Sequence, residues 1–132
     1  ISYYVKGPVV GLVLEARLRS ASGGKLGLDA LLRAAYAKWS GARGFTPEQF
    51  EALAAELAGI DQRVFFDRAL RSTDELDYGE ALACFGLRFA EAAEGDGRGG
   101  RWKLEVDPAS SVQAKGRLDA LLAPSPALTA RK

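Results

Sequence analysis

Up to Gly86 the apolar residues recur at helical spacing, and four of the runs are closed by a glycine-bearing stop, at Gly23-Gly24, Ser40-Gly41, Gly59 and Gly86. A chain punctuated in this way reads as an array of about five helices. The first follows Lys6-Gly7-Pro8, where proline suits the first turn, and continues through Val9, Val10, Leu12, Val13, Leu14, Ala16 and Leu18. Its first half is apolar nearly all round, while Glu15, Arg17 and Arg19 come late. The expectation is therefore a first half in the core and a last turn in solvent. A buried strand over residues 9–14 is the rival, disfavoured by Gly11 in mid-run and by the extension to Leu18.

A second helix is expected over residues 29–39, with Leu28, Leu31, Leu32, Ala35 and Trp39 on one face. Thr46-Pro47-Glu48-Gln49 then places an N-cap hydroxyl, a proline at N1 and a glutamine at N3 ahead of Phe50, Leu53, Ala54 and Leu57. Asp61 is the cap expected for a fourth helix carrying Val64, Phe65 and Leu70, and Asp77 for a short fifth with Glu80 three residues on. After Gly86 the pattern changes to alternation: Leu87 and Phe89, then Trp102, Leu104 and Val106, on either side of the glycine-rich run from Gly95 to Gly100. A β-hairpin is the candidate there. Beyond Asp107-Pro108 one short helix is expected around Leu118 to Leu122, and after Pro124-Ser125-Pro126 a loose end. Leu-Asp-Ala-Leu-Leu occurs at 28–32 and 118–122 with unmatched flanks, which in a Leu- and Ala-rich chain is coincidence rather than duplication.

Composition narrows function more than fold. The 132 residues are 48% apolar and carry 18 basic against 17 acidic side chains, a formal net charge of +1. That balance gives no global field to draw in nucleic acid or an anionic membrane, and no apolar run approaches the roughly eighteen residues of a membrane span. The single Cys84, inside an apolar helix, reads as a core thiol. There is no histidine, so imidazole acids, bases and zinc ligands are excluded, and carboxylates, Tyr and Lys are left for chemistry. There is also no methionine, and the sequence opens at Ile1, so it reads as a piece of something longer with any targeting signal upstream. The compartment stays open.

Chemistry is most concentrated in Ile1-Ser2-Tyr3-Tyr4-Val5-Lys6-Gly7-Pro8, where two tyrosines and a lysine crowd the entrance to the most hydrophobic helix. A tyrosine hydroxyl stays protonated at neutral pH and can donate to a developing oxyanion. On residue chemistry alone, the plainer reading has the tyrosines stapling the chain entry onto the helix with Lys6 in solvent. Two other clusters are weaker. Asp74, Glu75, Asp77 and Glu80 lack a glycine-centred calcium loop and suit capping and solvation, and Arg98-Gly99-Gly100-Arg101-Trp102-Lys103, one basic-aromatic copy in a near-neutral chain, suits an exposed turn.

The stretch from Ile1 to Gly7 resembles the tyrosine-lysine-glycine segment of the glycyl aminopeptidase family, zinc metallopeptidases of the thermolysin-like clan, in which it lies downstream of the HExxH helix. The resemblance continues in order through Ser22-Gly23-Gly24-Lys25, Leu28-Asp29, Gly44-Phe45-Thr46-Pro47-Glu48-Gln49-Phe50, Phe65-Phe66-Asp67-Arg68, Glu75-Leu76 and Phe85-Gly86-Leu87. It implies that residues 1–89 are the helical C-terminal part of a metallopeptidase catalytic domain, and it leaves 90–132 as an unassigned tail. Family members commonly carry a PDZ module after the helical part, and the tail shows no peptide-carboxylate loop to match one. Tyr4 takes the place of the motif tyrosine, which in such enzymes hydrogen-bonds the tetrahedral intermediate; Tyr3 keeps a packing role. The resemblance further implies zinc in a parent enzyme, with its two histidines, base glutamate and third ligand all outside this sequence, so the piece by itself is expected to be inert. The implied partners are a peptide substrate and the remainder of the catalytic domain. The alternative is a non-catalytic helical interaction module whose apolar first helix meets a partner or a second copy.

Overall fold

The computed structural model describes residues 3–91 and 102–123, without the side chain of Tyr3. The glycine-rich run and the residues from Pro124 onward lie outside the described residues, as do Arg98 to Arg101 of the basic-aromatic cluster. The order is α1 (Tyr3–Ala21), α2 (Leu28–Trp39), a 3-10 turn (Gly41–Arg43), α3 (Pro47–Ala58), α4 (Arg63–Arg71), α5 (Gly79–Phe85), β1 (Leu87–Glu91), β2 (Trp102–Val106) and α6 (Val112–Leu122). The chain is a helical array followed by one antiparallel hairpin, as the sequence predicts. It divides into two compact units, Ile1–Ala81 and Leu82–Lys132.

In the first unit the local signals work as written. Thr46 Oγ1 accepts the Gln49 N–H at 3.3 Å while Gln49 Oε1 accepts the Thr46 N–H at 2.9 Å, the reciprocal capping box, and Gly59 ends α3 in the left-handed region at φ 69°. Asp61 acts one residue earlier than an N-cap: Gln62 holds that position, and Asp61 Oδ1 accepts the Arg63 N–H at 2.8 Å.

Two expectations for α1 are corrected. The helix starts at Tyr3, so Pro8 sits inside it and supplies no N–H for the Tyr4 carbonyl. The burial is also reversed. Val13, Leu14, Ala16 and Leu18 are buried, whereas Tyr4, Val5, Gly7, Pro8 and Leu12 are exposed and Val9 and Val10 only half-covered. The reason is tertiary: α2 and α3 both pack on α1, and its buried residues begin only at Val13.

Glu15, expected in solvent, is instead buried. Its carboxylate accepts the Leu28 N–H at the start of α2, whose own N-cap residue, Gly27, has no side chain to offer, and it also accepts from Arg19 Nε at 2.5 Å. A carboxylate at a helix N-terminus satisfies an orphan donor and complements the dipole. Arg17, two residues on, lies 5.2 Å above the Phe65 ring, donates from Nε to Gln62 Oε1 at 2.8 Å and from Nη1 to Glu80 Oε2 at 2.7 Å. It joins α1 to the start of α4 and the start of α5.

In the second unit β1 and β2 pair with Leu87 opposite Val106 and Phe89 opposite Leu104. Gly86, at φ 63°, lies where a Cβ would come within 2.8 Å of Ser110, and its carbonyl accepts the Asp107 N–H at 2.8 Å. Ser111 Oγ accepts the Ala114 N–H at 3.1 Å and starts α6 well before Leu118. Cys84 is buried and accepts a long 3.7 Å contact from Arg117 Nη1.

Gly27 tests the Glu15 cap. A Cβ there would lie 2.7 Å from both Glu15 carboxylate oxygens and 3.0 Å from Arg19 Nη2, so Gly27→Ala must displace the cap although the backbone φ of −132° suits alanine. The expected loss is about 1–2 kcal/mol of unfolding free energy in urea titration, against a gain of about 0.5 kcal/mol if only chain entropy mattered.

Candidate functional site

Tyr4 stands on the first turn of α1 with 79% of its surface exposed. Starting the helix at Tyr3 rather than at Pro8 is what fixes the backbone beneath it. Val5 and Lys6 share its turn, and Gly7, three residues on, adds no side chain to that face; a Cβ on Gly7 would meet nothing within 4 Å. The phenol is thus presented on the first turn of α1, in its exposed half, and not sealed into the core. The side chain of Tyr3 lies outside the description.

Two concavities flank this end of the first unit. One, about 300 Å³, is almost wholly apolar and runs from Gly7, Val10 and Gly11 to the rings of Phe45, Phe50 and Phe66. Phe45 bridges Trp39 at 5.5 Å and Phe50 at 5.8 Å between ring centroids, and it remains 54% exposed. The other, about 450 Å³, lies between the α1 residues Val5, Lys6 and Val9 and the connection from α4 to α5. Lys6 Nζ donates to the Ser72 carbonyl at 3.4 Å, a bond spanning 66 positions of sequence, instead of resting in solvent.

The acidic cluster is split by the fold. Asp77 Oδ1 accepts the Gly79 N–H at 2.9 Å at the start of α5, and Glu80 pairs with Arg17. Asp74 and Glu75 cap nothing and instead line the larger concavity. The sequence does mark four acids in one short span, but only the connection's path separates the two that hold helix α5 from the two that do not. The Arg33 side chain holds the Asp29 carboxyl below its ordinary range, and the Arg63 side chain does so for Asp61.

Zinc does not fit the residues present. The sequence has no histidine, and among the described residues no group of three or more Cys, Asp or Glu side chains is placed to hold a metal ion. No helix among the described residues is long and apolar enough to cross a membrane. No family model, no curated protein and no solved structure matches the chain.

The exposure of Tyr4 has a direct chemical readout. Nitration of the folded chain followed by peptide mapping is expected to modify Tyr4 and the 75% exposed Tyr36 ahead of the half-buried Tyr78. A Tyr4 that reacts only after unfolding in urea would remove the site.

Proposed function

We propose that this chain supplies the helical wall of the active-site cleft in a zinc-dependent aminopeptidase, and that Tyr4 is the proton donor facing the scissile carbonyl. The observation that carries the reading is the exposed phenol on the first turn of α1, joined to the ordered resemblance across residues 1–89. The zinc and its ligands belong, on this reading, to chain outside the present sequence, and the piece alone is inert. The contribution of its own residues is limited and definite. The first turn of α1 carries the Tyr4 side chain, and its hydroxyl donates a hydrogen bond to the oxygen on which negative charge develops as a peptide carbonyl is attacked. The exposed apolar residues beside it, Val5 and Leu12, suit the seam where the remainder of a catalytic domain would pack.

The same exposed half of α1 favours a second reading, a non-catalytic interaction module that uses this apolar face to meet another protein or a second copy. Sedimentation separates the two on this chain: reversible self-association abolished by Val5→Asp supports the module, and a monomer at all concentrations counts against a second copy as its partner.

For the enzyme reading the decisive variant is Tyr4→Phe in an intact peptidase carrying this segment. Removing one preorganised donor costs about 3 kcal/mol in the transition state, so kcat is expected to fall about a hundredfold with KM little changed. Unchanged turnover would reject the role of Tyr4.

A further inference from the structure

The hairpin of the second unit has one largely apolar face and one charged face. Its register sets Leu87 opposite Val106, Phe89 opposite Leu104 and Glu91 opposite Trp102 on the first, and Arg88 opposite Glu105 and Ala90 opposite Lys103 on the second. Trp102, Leu104 and Val106 are all exposed. β1 and β2 make up the whole sheet among the described residues, so the outer edge of β2 meets no other strand there. The Asp107 N–H donates to the Gly86 carbonyl one pair beyond Leu87 and Val106. Because inward and outward backbone groups alternate along a strand, those of Glu105 and Lys103 face β1 and those of Trp102, Leu104 and Val106 face outward.

The sequence of β2, Trp102-Lys103-Leu104-Glu105-Val106, is complementary to itself when reversed. With a second β2 antiparallel to it about a two-fold axis at Leu104, Trp102 falls opposite Val106 and Leu104 opposite Leu104 on the apolar face, and Lys103 falls opposite Glu105 twice on the charged face. Within the chain Lys103 has only Ala90 across from it and makes no ion pair among the described residues. Glu105 is held by Arg88, whose Nε and Nη2 donate to its Oε1 at 2.9 and 2.6 Å, and its Oε2 has no partner among the described residues. Neighbouring registers lack this match: an axis at Lys103 or at Glu105 sets like charges opposite each other, and a one-residue slip turns the two apolar faces to opposite sides. β1 is not self-complementary, since an axis at Phe89 sets Arg88 against Ala90 and Leu87 against Glu91. A lone edge lysine ordinarily discourages strand pairing; in the Leu104 register it meets its counter-charge.

We propose that the outer edge of β2 joins a second copy of this chain, antiparallel about Leu104, so that two hairpins become one four-stranded sheet. Trp102, Leu104 and Val106 then exchange about six backbone hydrogen bonds with their counterparts, and the two Lys103–Glu105 pairs fix the register. A two-stranded hairpin is marginal by itself, and further strands relieve that. The contact goes beyond the roles given to α1 and uses no residue of that helix, so each stands or falls separately.

Sedimentation equilibrium of the full chain is expected to show a reversible dimer with a dissociation constant on the order of 100 micromolar, weak because the shared edge is short. Hydrogen exchange at the amides of Trp102, Leu104 and Val106 is expected to slow as the concentration rises. Lys103→Glu, at an exposed position facing Ala90, sets carboxylates against each other at both ends of the shared edge and is expected to weaken the dimer by about tenfold or more. Val5→Asp is expected to leave it unchanged, which separates this contact from any association through α1. Leu104→Cys tests the axis: Cα atoms paired there lie about 5.5 Å apart, within reach of a disulfide, and Cys84 is buried. Oxidation is expected to link L104C between chains, and K103C, whose two copies lie on a diagonal of about 7–8 Å, much more slowly. A monomer up to about millimolar concentration, a dimer unweakened by K103E, a dimer lost in V5D, or K103C cross-linking as readily as L104C would each overturn the proposal, and the first of these would leave the edge to a strand of a different protein. Because no turnover is measured, these results leave the Tyr4→Phe experiment untouched.

Discussion

The C-terminal half of α1 is the surface against which the first unit is assembled. Leu18 and Ala16 are wholly buried and Val13 and Leu14 nearly so, with α2 and α3 both packed on this helix. Burying the Val13, Leu14 and Leu18 side chains contributes about 1.5–3 kcal/mol each, more than any single surface ion pair here can supply. The polar residues of the same half are used as fasteners: Glu15 closes the start of α2, and Arg17 ties α1 to Gln62 and Glu80. Once that half is committed, the N-terminal half projects beyond the cover, and Tyr4 projects with it.

How much of this was legible depended on whether the signal was local. The Thr46–Gln49 box, the left-handed Gly59 and the stop at Gly86 are written within four residues of where they act, and each element they bound appears where the spacing puts it. The alternation of Leu87, Phe89, Leu104 and Val106 likewise becomes a paired register. α1 was misread because periodicity reports which residues are apolar, not which are covered. An all-round apolar stretch has no polar face to mark the side left open. Pro8 points to a start at N1 because its missing N–H costs nothing there, whereas inside α1 it withholds the helical donor from the Tyr4 carbonyl, and no local sequence signal distinguishes the two placements. Ser111 is a cap signal as local as Thr46, and with it α6 starts six residues before Leu118.

The site shows the same division. Tyr4 was singled out by residue type and by resemblance, but its accessibility is a consequence of where the packing on α1 stops, which only the fold displays. Glu15 looked like a solvent residue because glutamate usually is one; its partner, the Leu28 N–H, is a backbone group that leaves no trace in side-chain patterns. The acidic run was visible as a cluster, yet its members divide between helix capping, an ion pair with Arg17, and a concavity, according to a connection whose path is set by Ser72 and by the burial of Leu76.

Exposed apolar surface and the exposed carboxylates of Asp74 and Glu75 lie next to each other at this end of the first unit, and they make different demands. The apolar half of α1 gains by being covered, since each exposed valine or leucine removed from water contributes in proportion to its area. The carboxylates of Asp74 and Glu75 lose by being covered unless a cation enters with them, because desolvating an unpaired carboxylate costs more than the apolar gain returns. A partner that simply blanketed the whole end would therefore be opposed at the connection from α4 to α5. The arrangement favours a cover that packs on Pro8 and Leu12 and stops short of the concavity beside Val5.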